Sequence, residues 1–84
     1  MAPVWDATAR ILRFRDAECK RFKRTAPDQE KLLAAFQEEE WPDAIDDPLP
    51  PGKLATTVES LNDRLQHIRF SLNGAGTGVC WHPV

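Results

Sequence analysis

Eighty-four residues, 42% apolar and 29% charged with three Trp and four Phe, specify one small domain and exclude disordered, collagenous or disulfide-scaffold chains. The net charge of −2 hides an asymmetry: residues 1–26 hold seven Lys/Arg against three Asp/Glu, a net of +4, and residues 27–84 hold four against ten, a net of −6. A basic arm on an acidic body predicts a surface with two distinct faces.

In chain order, residues 1–24 form a basic N-terminal stretch built on a hairpin. Arg10-Ile11-Leu12-Arg13-Phe14 alternates apolar and basic side chains, Arg15-Asp16-Ala17 is the turn, and Glu18 to Phe22 returns as the second strand. Cys19 and Phe22 do not share parity, which leaves room for a bulge. Residues 25–41 are predicted helical. Thr25 and Asp28 fit a capping box, Pro27 suits the first turn, and Leu32, Leu33 and Phe36 supply the apolar face. Trp41-Pro42 ends that helix, because a residue before proline avoids the helical region.

Residues 42–52 are a proline-rich connector in which Ile45 and Leu49 anchor an extended segment or short strand to the core. Asp46 and Asp47, ahead of Pro48, are placed to fix the turn through side-chain-to-backbone bonds. A second helix over 53–66 follows from Leu54, Val58, Leu61 and Leu65 on one stripe, with Thr56, Glu59, Ser60, Asp63 and His67 opposite. From Ile68 the period becomes two, and GAGTG at 74–78 turns the chain into Val79-Cys80-Trp81, so residues 67–84 form a C-terminal hairpin.

The predicted class is α+β and winged-helix-like: an N-terminal β-hairpin, two main helices and a C-terminal hairpin as the wing. In that architecture a helix in the position of 53–66 docks in the major groove. The strings Trp41-Pro42, IDDPLPP (45–51), SLN (60–62), IRF (68–70) and GTGVCW (76–81) resemble a family of small bacterial winged-helix-like domains of unestablished function. The resemblance implies the fold and carries no catalytic residues.

No metal centre or cofactor is expected. Cys19, His67, Cys80 and His82 are the whole Cys/His inventory, and no two cysteines have ribbon or finger spacing. The two cysteines read as reduced thiols, with a disulfide as the alternative if their strands pair. Glu38-Glu39-Glu40 with Asp43, Asp46 and Asp47 reads as a solvated face, and the GAGTG glycines as turn residues, since no helix follows to build a phosphate loop. No acid–base pair has motif spacing, so an enzyme and a small-molecule substrate are not expected. No apolar run approaches the ~18 residues of a membrane span, and the N-terminus lacks a signal-peptide core, which predicts no membrane association and a cytoplasmic location.

Two binding functions remain. In the first, the domain contacts DNA: Arg10, Arg13, Arg15, Lys20, Arg21, Lys23 and Arg24 hold phosphates, with Lys53, Thr56, Ser60 and Arg64 presented by the second helix and Arg69 and Asn73 by the wing. In the second, the same fold is a protein-interaction adaptor. Its support is the near-neutral helix, where Lys53 and Arg64 face Glu59 and Asp63.

Overall fold

A computed structural model describes all 84 residues as two helices and two small antiparallel sheets. Sheet A has the order β1 (Val4–Asp6), β2 (Ile11–Phe14), β3 (Ala17–Arg21). Helix α1 (Pro27–Glu38), strand β4 (Ala44–Asp46) and helix α2 (Leu54–Asn62) follow, and β5 (Ile68–Leu72) and β6 (Gly78–Pro83) close the chain. Sheet B has the order β4-β6-β5, so the last strand lies between the connector strand and the first arm of the wing. This is the α+β arrangement predicted, compatible with a small winged helix. No helix is long and apolar enough to cross a membrane.

Four local expectations change, and one, the bulge, holds. The N-terminal element is a three-stranded sheet, because Trp5 pairs with Leu12 and its N–H donates to Gln37 Oε1 at 2.8 Å, which ties the short edge strand to α1. The expected bulge lies at Cys19, since the register shifts between Leu12, which pairs Lys20, and Arg13, which pairs Glu18. Helix α1 begins at Pro27 after the cap residue Ala26, and no side chain of Thr25 caps it. The Glu30 carboxylate instead accepts the Ala26 N–H at 2.9 Å, two residues beyond the Asp28 of the predicted box.

Helix α1 also ends at Glu38, three residues before Trp41. The N–H of Trp41 donates to Phe36 O at 2.8 Å and that of Glu40 to Gln37 O at 3.1 Å, with Glu40 left-handed at φ 60°. This is a Schellman stop, and its usual hydrophobic contact is present: the Trp41 and Phe36 rings stack at 4.9 Å. The last helix likewise stops at Asn62 and not at Gln66, because Asp63 is extended and Arg64 left-handed at φ 59°. The segment between the helices, residues 39–53, contains β4 where a helix-turn-helix has only a turn of about three or four residues.

One cluster of 18 buried residues draws on both sheets and both helices. Its spine is aromatic: Phe14 of sheet A meets Trp81 of sheet B edge-on at 5.7 Å, and Trp81 meets Trp41 at 6.1 Å. The half-buried Trp81 indole donates to Pro42 O at 2.9 Å, so its polar atom is not stranded. Asp47 fixes the connector as expected by accepting the Leu49 N–H at 2.8 Å.

Candidate nucleic-acid interface

Strand β3 and the segment after it run past the C-terminal turn of α2, and an open groove of about 1010 Å³ lies between them. Lys20, Arg21, Lys23 and Arg24 line one side, Glu59, Ser60, Asn62, Asp63 and Arg64 the other, and Gln29 reaches in from α1. Five cations therefore face two carboxylates in a trough whose one apolar lining residue is Phe22.

Lys20 joins the two walls. Its ammonium donates to the carbonyls of Ser60 at 2.9 Å, Leu61 at 3.0 Å and Asp63 at 3.0 Å, and to Gln29 Oε1 at 3.3 Å. Those carbonyls close a helix whose last turn has no basic residue of its own, so a cation from β3 satisfies them and complements the helix dipole. Burial holds the Lys20 pKa below the ordinary lysine value, against the opposing pull of Asp63. Asn62 works in the opposite direction: its amide accepts Phe70 N–H at 2.9 Å and donates to Phe70 O at 2.8 Å, pairing the outer edge of β5.

The other cations differ in what holds them. Arg10 makes two bonds to the Glu30 carboxylate at 3.3 and 3.1 Å. Arg13 approaches Asp6 at 4.0 Å, and Arg21 bonds Glu18 at 2.8 Å. The last two pairs are well exposed and screened by solvent, so Arg21 is only loosely engaged. Arg15 lies over the Phe14 ring at 4.8 Å, away from the groove. Lys23, Arg24 and Arg64 are exposed and make no side-chain hydrogen bond or ion pair.

Arg64 is one of seven non-glycine residues with left-handed backbone. Leu65 N–H donates to Asn62 O at 3.1 Å, with Asp63 at φ −63°, ψ 122° and Arg64 at φ 59°. Those values describe a type II turn with arginine at the position that glycine ordinarily occupies.

Of the residues singled out in the sequence, Lys20, Arg21, Lys23, Arg24, Ser60 and Arg64 come together in this groove. Thr56 lies in the adjoining cleft, beside Ala26, Pro27, Asp28 and Gln29 at the start of α1. Lys53 precedes α2 and is exposed. Arg69 donates to the Leu65 carbonyl, and Asn73 is engaged in the wing turn, where its Oδ1 accepts Thr77 N–H at 3.0 Å. Gln29 and Asn62 line the groove without having been singled out, since their roles depend on contacts distant in sequence.

Elsewhere, Cys19 and Cys80 are free thiols, and burial pushes Cys19 up to about 11, so it is protonated at neutral pH. No three His, Cys, Asp or Glu side chains converge in a way that would hold a metal ion. Comparison with known protein families, curated proteins and solved structures gives no match.

Proposed function

We propose that the domain is a winged-helix-like nucleic-acid-binding module of regulatory type, acting in the cytoplasm, and that the groove between β3 and α2 is its contact surface. The observation that carries this reading is the meeting of three unpartnered cations, Lys23, Arg24 and Arg64, in one open trough beside Ser60. Cations without internal partners are the groups that release counterions when they meet phosphates. The near-absence of apolar lining favours a polyanion over a small molecule, whose sites are predominantly hydrophobic. The role is read as binding rather than catalysis, since no motif spacing marks the groove's carboxylates as an acid–base pair.

A second reading, a protein adaptor, draws on Glu59 and Asp63, which line the same groove and would repel phosphates close to α2. Fluorescence anisotropy with a random-sequence duplex in low and then moderate salt separates the two. The nucleic-acid reading expects a Kd of about 10⁻⁴–10⁻⁶ M that weakens with salt, and a slope about 1.8 units shallower in the Lys23→Ala, Arg24→Ala double variant. No binding by folded protein at low salt rejects it in favour of the adaptor.

A further inference from the structure

Resting on the reading just given, we infer that the groove holds the sugar–phosphate backbone of duplex DNA without reading its bases, and that Arg64 is its positioning contact. Three observations lead there. The first is the absence of a stacking platform: Trp5, Phe14, Phe22, Phe36, Trp41 and Phe70 are all buried, and Trp81 is half-buried with its indole bonded to Pro42. Single-stranded nucleic acid is gripped largely by bases stacked on exposed aromatic rings, and none is available. A duplex, which presents its charge outward and keeps its bases stacked, is the form this groove suits.

The second is that the side-chain amides near the groove and in the wing, and Arg69, are already engaged within the fold. Asn62 is bonded at both amide atoms to Phe70, Gln29 accepts from Lys20, Arg69 donates to Leu65 O and Asn73 closes the wing turn. Outward from α2 stand Thr56, Glu59, Ser60 and Asp63, exposed. Two carboxylates on that face oppose insertion of the helix between two phosphate chains. The helix therefore lies beside the duplex, and the groove's unpartnered cations, Lys23, Arg24 and Arg64, make the contact. Contacts of that kind set position and carry no sequence information.

The third concerns Arg64. Left-handed backbone is costly for any residue with a Cβ, and six other non-glycine residues share it, so what sets Arg64 apart is that the surrounding structure holds it at the groove. Here the enforcing structure is on both sides: Lys20 holds the carbonyls of Ser60, Leu61 and Asp63, and Asn62 clamps Phe70. The turn between these fixed points sets the Arg64 backbone at the mouth of the groove, opposite Lys23 and Arg24.

The test measures salt-dependent binding of two labelled duplexes of unrelated sequence and of oligo(dT), with wild-type protein, Arg64→Gly and Arg64→Lys. Glycine suits φ > 0 and removes the charge, so Arg64→Gly should melt at or above the wild-type temperature while binding more weakly. Three phosphate contacts give a slope near −2.7, and losing one makes it shallower by about 0.9, which at 50 mM salt is roughly a tenfold loss of affinity. Arg64→Lys keeps the charge and most of the binding.

Equal affinity for the two duplexes supports the inference, whereas a preference above about fivefold, the least that one base-edge contact supplies, overturns backbone-only recognition. Tighter binding to oligo(dT) overturns the choice of duplex. Wild-type affinity in a folded Arg64→Gly variant overturns the role of Arg64. If wild-type protein binds no nucleic acid at all, the nucleic-acid reading itself fails, an outcome distinct from the other three.

Discussion

Replacing Glu40 by glycine should stabilise the domain. Glu40 is left-handed at φ 60° in the Schellman stop of α1, at the position where glycine is the usual residue. A residue with a Cβ costs about 1–2 kcal/mol there. Glycine returns about 0.5–1 kcal/mol of that through the greater freedom of the unfolded chain. Removing a carboxylate from a helix C-terminus adds about 0.3–1 kcal/mol, because the dipole there is negative and α1 has no basic residue in its last turn. The balance is a gain of about 1 kcal/mol, or about 4–8 °C in Tm for a domain of this size. Glu40→Ala is the control: it removes the charge and keeps the Cβ, so it should gain only the dipole contribution. Thermal melts followed by tryptophan fluorescence report directly, since Trp41 stacks on Phe36 at the stop. A Glu40→Gly protein that melts no higher than Glu40→Ala would refute the assignment of backbone strain at this position.

The remaining predictions concern sheet B and the acid limit. A Cβ at Gly78 would lie 2.6 Å from the Ile45 carbonyl oxygen, a backbone atom of the paired strand, so Gly78→Ala should lower stability by about 1–3 kcal/mol in urea denaturation. An unchanged midpoint would show that β4 and β6 can separate freely. The Ala26 N–H bond, with help from Arg10, holds the Glu30 carboxyl below its ordinary value of 4.5, against burial. The folded state therefore favours the ionised form: its stabilisation is complete above the ordinary pKa and is lost as pH falls through the depressed one. Stability-versus-pH curves of wild type and Glu30→Gln should converge as the pH falls through that depressed value, and parallel curves would place the acid sensitivity elsewhere.

Much of the architecture was legible because local pattern and tertiary structure agree. The stripe Leu54, Val58, Leu61 became the buried face of α2, and the alternation Ile68, Phe70 became the inner face of β5. What was hidden depends on partners distant in sequence. Val4-Trp5-Asp6 is too short to announce a strand, and it is one because Gln37 of α1 accepts the Trp5 N–H while also accepting the Trp41 indole at 2.8 Å. Helix ends were misplaced for the same reason. Nothing local marks Glu40 or Arg64 as left-handed, since neither is glycine or asparagine, and the closing of the stop by Trp41 depends on its stack with Phe36.

The charge pattern shows why a basic stretch of sequence and a basic surface are different things. Seven cations crowd residues 10–24, yet Arg10 is taken up by Glu30 of α1, Lys20 by the carbonyls of α2, and Arg13 and Arg21 by carboxylates of their own sheet. Among these only Arg10 and Lys20 are held by half-buried bonds, so they act as internal ties that fix α1 and α2 against sheet A. Arg13 and Arg21, in exposed pairs, remain exchangeable. The surface left for a partner is consequently smaller than the sequence patch, and it is completed from outside it: Arg64, contributed by the turn after α2, faces Lys23 and Arg24 only because Lys20 draws the two segments together. The residue that reads as one more phosphate ligand in the sequence is, in the fold, the one that builds the groove for the others.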